Sequence, residues 1–543
     1  MPQQLGELPE NNAKTLRDET FVVYQNQRIS FVEHNDRAAL VASALFASGL
    51  KRQDRIAVLS RNSPAYLEIF SAAQITGLIV ATVNFRLATP EAAAVLSDAA
   101  PAVLFFEAEH AAAIESLRAT LPSIKRFVCM DGECPWATSY DAFIKSAEGK
   151  PCAPCETFPE DIMHLIYTSG TTGRPKGVMR SHAAEMEVAN LMTTEIGVLR
   201  GDVVQIMMPL FHVGARWLQL GAQARGARIV LHREVDALEI LQAMDREKVT
   251  ITHMAPTIVQ QMLDHPEIDS FSLKTLRGIY YSAAPMPFPL LQRGMKKLGS
   301  VFVQAYGMTE GFATTLRPQQ HQPDGNEEQV KRLRSVGQAS TGVRLRIVDD
   351  TGNDLPQGSP GEILTFTTTR MSGYWNNSIA TSDALKDGWY RTGDVGYLDH
   401  EGFLYLVDRK KDMIISGGEN IYCREVEDAV VQHPAVMEVA VIGLPDPKWG
   451  ESVCAIVVKK AGLPLTETEV IDHCRPLLAS YKKPKSVRFI DTLPRLNTGK
   501  VDKVRLRALM RERAGKTDNT KPLTLPALGR SKHLTTPSRF DGG

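Results

Sequence analysis

The chain has 543 residues, 43% hydrophobic and 23% charged, and its 62 lysines and arginines balance 62 aspartates and glutamates. So long a chain exceeds one ordinary core and implies roughly two to four domains, while the neutral balance argues against a nucleic acid or a membrane surface as partner. The seven cysteines, an odd number with no secretory pattern at the N-terminus and no peroxisomal address at the C-terminus, favour reduced thiols and a cytoplasmic enzyme.

In chain order, residues 55–60 read as a buried strand, 64–77 as a helix and 78–83 as a second buried strand. The best membrane candidate, 65–85, contains Glu68, Gln74 and Gly77 and divides into an amphipathic helix and a strand, so it is not a spanning segment. Cys129 and Cys134 precede Cys152 and Cys155. Two close pairs can supply four thiolates to zinc, but the first spacing is loose, and surface-loop thiols without a metal are expected.

The apolar run 162–167 enters the segment 167–178, Tyr-Thr-Ser-Gly-Thr-Thr-Gly-Arg-Pro-Lys-Gly-Val, and helical character resumes from about Ser181. The loop is therefore expected to join a strand to a helix. Gly170, Gly173 and Gly177 let backbone N–H groups approach phosphate oxygens, Thr168, Ser169, Thr171 and Thr172 add donors, and Lys176 adds positive charge. That composition suits a polyphosphate. It is not a Walker loop, because Lys176 follows Gly-Arg-Pro and no hydroxyl residue follows it.

Strand, helix and strand recur at 227–231, 236–247 and 249–253, the mark of a parallel sheet flanked by helices. Around 342–349 and 361–366 the chain changes to short strands with Gly and Pro turns, consistent with a small antiparallel subdomain. After the charged run 408–412 comes a compact α+β stretch with strands at 439–442, 452–458 and 487–490 and a helix over 467–479. Beyond about residue 515 the sequence is polar, proline-containing and aperiodic, as in a disordered tail. No internal repeat is present. The expected organisation is α/β: an N-terminal domain of helix-flanked sheets with the antiparallel subdomain over 1–408, a mobile α+β domain over 412–515, and a tail at 516–543.

The loop at 167–178 resembles the signature loop of the adenylate-forming superfamily, which comprises acyl-CoA synthetases, peptide-synthetase adenylation domains and luciferases. Further motifs resembling that family follow in its order: Gln-Ala-Tyr-Gly-Met-Thr-Glu at 304–310, Tyr-Arg-Thr-Gly-Asp at 390–394, Asp-Arg-Lys-Lys-Asp at 408–412, Gly-Gly-Glu-Asn-Ile at 417–421 and Pro-Arg-Leu-Asn-Thr-Gly-Lys at 494–500. The resemblance implies ligation of a carboxylic acid to coenzyme A through an acyl-adenylate, with ATP and Mg²⁺. Delivery to a carrier protein or a luciferase-like oxygenation stands as the alternative. It implies no nucleic-acid partner and no integral membrane segment, and leaves a homodimer open.

The resemblance also implies roles. Glu310 would hold Mg²⁺, Thr309 would donate to the α-phosphate, and Tyr306 would stack on adenine against the backbone of Ser282, Ala283 and Ala284. Asp394 would accept the ribose hydroxyls, with Arg409 supporting ribose or phosphate. Lys500 would bridge the carboxylate and the α-phosphate, after which rotation at Lys411 would bring Gly417, Gly418 and Glu419 to the site for thiolation. His212, Tyr281, Gly307 and Met308 match positions lining the acyl pocket, among Phe211, Val213 and Phe312. Arg216 is expected on an exposed helix face; turned inward, it would instead select a second carboxylate.

Overall fold

The computed structural model of the protein describes residues 4–150, 156–168, 175–284, 286–416, 419–496 and 500–514. Two compact units emerge, Met1–Leu406 and Val407–Gly543, and the division falls inside the strand Leu404–Arg409. The tail expected at 516–543 lies outside the described residues.

Among the described residues the first unit contains two large sheets. In one, Arg55–Leu59 pairs in parallel with Ile79–Thr82 and Val103–Phe106, and Ile79–Thr82 pairs in parallel with Ile162–Thr168. In the other, Val203–Ile206 lies between Arg228–Leu231 and Ile251–Met254, all parallel, and the sheet continues through Gly278–Tyr281 to Phe302–Met308. Helices link the strands, so the unit is the α/β fold anticipated from the alternation. A third sheet is antiparallel: Gly361–Phe366 lies between Arg344–Val348 and Trp389–Leu398.

The helix Pro64–Thr76 begins where the Ser63 hydroxyl accepts the Tyr66 N–H at 3.3 Å, and it stops at Gly77, whose φ of +65° suits a residue without Cβ. It is not amphipathic as expected. Tyr66, Glu68, Phe70, Ala72 and Gln74 are all buried, because the helix Phe31–Ala47, the turn Leu5–Glu7 and the strand Ile79–Thr82 pack around it. Its polar residues find partners inside: Glu68 accepts from Arg37 and from the Tyr140 hydroxyl, each at 2.7 Å. Full burial of a side chain such as Phe70 contributes about 1.5–3 kcal/mol.

In the second unit, Val436–Asp446 and Gly450–Lys459 form a long hairpin, and Ser486–Phe489 joins Gly450–Lys459 in parallel. The helix expected over 467–479 ends at Cys474. Pro476 explains the stop, since it lacks the N–H that the next helical hydrogen bond would need. Cys129 ends the strand Arg126–Cys129, and both it and Cys134 are buried, so neither is a surface thiol; Cys152 and Cys155 lie outside the described residues.

Six histidines of the first unit are buried as neutral imidazoles. Burial pushes His34 and His253 down to about 3, and His182, His232 and His321 down to about 4, and it holds His164 well below its usual value. Below about pH 6.5 the unfolded chain takes up protons that these rings refuse, so stability falls as pH drops toward the folded values. Each pH unit in that window costs about 1.4 kcal/mol per histidine. Thermal unfolding between pH 7 and pH 5 should show a falling Tm, and His34→Gln should show a shallower fall; an equal slope in the variant would refute this origin.

Candidate active site

The phosphate-suited segment does not run from strand to helix. Ile162–Thr168 pairs antiparallel with a second strand, Lys176–Ser181, in which Thr168 faces Lys176 and Ile166 faces Val178. Only then does the helix His182–Thr194 begin, with the Ser181 hydroxyl accepting the Ala184 N–H at 3.2 Å. The strand escapes a hydrophobicity reading because Arg180, wholly buried, interrupts its apolar residues. Ser169, Gly170, Thr171, Thr172 and Gly173 lie outside the described residues; Thr168 and Lys176 flank them.

Arg180 repays its burial with three partners. Its Nε donates to Glu185 Oε1 at 2.7 Å, in an ion pair with no exposure on either side. Its Nη1 donates to the carbonyl of Thr369 at 2.5 Å and to that of Thr309 at 3.4 Å. Thr309 and Glu310 form the tight turn between Phe302–Met308 and Gly311–Leu316, where Met308 faces Gly311. The Glu310 carbonyl accepts the Met371 N–H at 2.7 Å, and its carboxylate accepts the Tyr374 hydroxyl at 2.8 Å. Lys176 lies with its Nζ 4.9 Å from the centre of the Tyr374 ring. Lys176, Tyr374 and Glu310 are thus contiguous, although 134 sequence positions separate the first from the last.

The strand that leads into this turn carries Tyr306, whose hydroxyl donates to Asp394 at 2.6 Å, so the residue matched to adenine stacking touches the one matched to ribose binding. Gly307 and Met308 complete the strand after a bulge at Tyr306. Beyond Gly278–Tyr281, Ala283 holds φ at +72°, a strained value for alanine, and both it and Ala284 are exposed. Ser282 shares a 2.8 Å hydrogen bond with His253. His253 was not singled out in the sequence, where it looks like one more residue of an apolar strand. Its ring sits so close to the helix Val213–Arg225 that a Cβ at Gly214 would lie 2.6 Å from it, and its Nδ1 has no hydrogen-bond partner among the described residues. His212 caps that helix with its ring 4.4 Å from that of Phe211.

Two expected pocket features differ. Tyr281 is fully buried in a core, its hydroxyl shared with Gln304 at 3.2 Å and His321 at 3.0 Å, because alternation along the strand turns its ring away from Tyr280 and His253. Arg216 is not on an exposed face but completely buried, its guanidinium 3.9 Å over the Phe70 ring and hydrogen-bonded to Gln219. Burial lowers it only to about 10, so it remains a cation at neutral pH.

In the second unit, Arg409 ends Leu404–Arg409, Lys411 follows in a turn, and Glu419 opens the strand Glu419–Ile421; Gly417 and Gly418 lie outside the described residues. Lys500 is exposed, and its carbonyl accepts the Leu496 N–H at 2.7 Å beside a bridge between Arg495 and Val501. No helix among the described residues is long and apolar enough to cross a membrane.

Known proteins resemble the chain along most of its length. Residues 9–375 match the family described as AMP-binding enzyme, and residues 425–500 match the AMP-binding enzyme C-terminal domain. The chain is 35% identical to a feruloyl-CoA synthase of an Amycolatopsis species, covering 93% of this chain and 99% of that one. It is 36% identical to an indoleacetate–CoA ligase of Aromatoleum aromaticum, covering 93% and 98%. A solved Mycobacterium tuberculosis fatty acyl CoA synthetase superposes with a TM-score of 0.75 at 32% identity, over 93% of this chain and 98% of that one. The chain therefore belongs to the AMP-binding enzyme family.

Proposed function

We propose that this protein is an AMP-forming acyl-CoA ligase: it activates a carboxylic acid with ATP as an acyl-adenylate, releasing pyrophosphate, and then passes the acyl group to coenzyme A, releasing AMP. The observation that carries this reading is the meeting of Lys176, Tyr374 and Glu310 beside the strand whose Tyr306 touches Asp394. Joining two anions is the physical obstacle, since like unit charges about 4 Å apart repel by roughly 4 kcal/mol at an effective dielectric near 20. In this reading Lys176 sets a cation at the phosphates, Thr309 donates to the α-phosphate, Tyr306 offers its ring face to adenine, and Asp394 takes the ribose hydroxyls.

Glu310 fits a magnesium ligand. Among the described residues no lysine or arginine pairs with its carboxylate, which keeps its charge for a cation, and magnesium favours one or two carboxylates with phosphate oxygens and waters. A bound magnesium ion would neutralise phosphate charge there. The exposed turn carrying Lys500 supplies the further cation of adenylation, and Gly417, Gly418 and Glu419 serve thiolation after a hinge movement at Lys411 between domains at 1–408 and 412–515. A cytoplasmic location fits such a reaction.

If Lys500 acts only in the first half-reaction, Lys500→Ala lowers acyl-adenylate formation by about 10²-fold or more and spares thiolation of a pre-formed adenylate. Measuring pyrophosphate release and thioester formation separately decides it, and equal losses in both would remove the assignment.

For the acid, an aryl-bearing or longer aliphatic monocarboxylate is preferred over acetate. Phe211, Val213 and Met308 offer apolar surface, and Arg216, the one cation weighed as a selector of diacids, is spent on Phe70 and Gln219. Relatives named for feruloyl, indoleacetate and fatty acyl substrates support the same class. At about 0.8 kcal/mol per buried methylene, four or five methylenes give a preference of more than about a hundredfold even after chain-ordering entropy is subtracted. Specificity constants for acetate, octanoate, a cinnamate-type acid and a dicarboxylate test this; acetate or the diacid ranking first would contradict it.

A further inference from the structure

The segment from Thr367 to Trp375 runs between the turn of Glu310 and the strand Lys176–Ser181, and it is fastened to both. On the turn side, the Thr369 hydroxyl accepts the Phe312 N–H at 3.1 Å, and the Met371 N–H donates to the Glu310 carbonyl at 2.7 Å. On the strand side, the Ser372 N–H donates to the Met179 carbonyl at 2.9 Å and the Trp375 N–H to the Gly177 carbonyl at 2.8 Å. Gly373 makes the crossing possible. Its φ is +142°, and a Cβ there would lie 2.8 Å from Thr381, whose hydroxyl accepts the Tyr374 N–H at 2.9 Å. Tyr374 is thereby fixed with its hydroxyl on the Glu310 carboxylate.

We propose that Tyr374 is a positioning residue for the nucleotide's divalent cation: its phenol holds the Glu310 carboxylate at a set place beside the phosphate hairpin, as the side-chain end of this strap. The proposal rests on the reading of Glu310 as a metal ligand. A phenol suits the task because it orients one carboxylate oxygen while leaving the charge in place, whereas a lysine or arginine would neutralise the ligand. Lys176 lies against the ring face of Tyr374 instead of pairing with the carboxylate. A phenol is protonated at neutral pH, so it remains a donor to the carboxylate. Tyr390 packs beside Tyr374 in the same apolar cluster.

A merely structural tyrosine would pack against Val178, Met371 and Tyr390 without affecting metal affinity. Tyr374→Phe keeps the ring and removes only the hydroxyl. With the full-length protein and a non-hydrolysable ATP analogue, Mn²⁺ affinity followed by electron paramagnetic resonance should weaken about tenfold, the size of one charge-assisted hydrogen bond, while Tm and the KM for the acid hold. Glu310→Gln should weaken Mn²⁺ binding further, and the double variant should bind no worse than Glu310→Gln alone, because the phenol acts only through that carboxylate. Unchanged Mn²⁺ affinity in Tyr374→Phe, with or without a lower Tm, overturns the proposal, as does a fully additive double variant. Undiminished Mn²⁺ binding in Glu310→Gln defeats the metal-ligand reading itself and the proposal with it.

Discussion

The ion pair between Arg180 and Glu185, closed to water on both sides, is the constraint on which the site depends. Two desolvated charges cost several kcal/mol each unless geometry and further hydrogen bonds compensate, and removing one partner of such a pair typically costs about 3–5 kcal/mol. Arg180 answers with a carboxylate and two backbone carbonyls, and its planar fork can serve them together because they lie in different directions. Those partners belong to the helix His182–Thr194, the turn of Thr309 and the strap at Thr369. One guanidinium therefore joins three segments distant in sequence, and Thr309 and Glu310, matched to catalysis, form the turn among them.

Around that node the polar groups divide by kind. Glu310 accepts from the Tyr374 hydroxyl, which fixes its orientation and leaves its negative charge in place. Elsewhere in the first unit, buried carboxylates have arginine partners: Glu68 has Arg37, Glu107 has Arg233 and Glu195 has Arg317. A carboxylate whose only task is to hold the fold gains from a cation, whereas Glu310, read as a magnesium ligand, would be silenced by one. The backbone of Ala283 is also strained, at a φ that persists only where the surrounding structure holds it.

Legibility in the sequence followed the physics of each element. The alternations at 55–83 and 227–253 could be read because β-branched runs are bounded by strong caps, Ser63 with Pro64 and Asp236. The antiparallel subdomain announced itself through Gly and Pro turns. What escaped were polar residues turned inward: Arg180 hid a strand, Glu68 and Gln74 lent a buried helix a false amphipathic face, and Arg216 looked like surface. The positions matched to nucleotide binding were visible as motif residues, yet Tyr374 was not, because its relation to Glu310 arises from strap hydrogen bonds that no local spacing encodes. His253 escaped for a similar reason, its neighbour Gly214 lying 39 positions earlier.

The same inward polarity fixes how the helices of the first unit pack against one another. From Arg216 a chain of hydrogen bonds runs through Gln219 to Gln223, where Gln223 exchanges bonds with Gln74 at 3.0 and 3.2 Å, and on to Ser71 and His34. These side chains come from three helices, Phe31–Ala47, Pro64–Thr76 and Val213–Arg225. Apolar contacts alone would tolerate rotation of one helix against another, but an amide that loses its buried partner costs about 1–3 kcal/mol. The network therefore admits essentially one rotational setting of Val213–Arg225. That helix begins at His212, so fixing its rotation also fixes where Val213 and the bare Cα of Gly214 stand relative to His253. Arg216 thus acts from the core side, by holding the helix Val213–Arg225 in register.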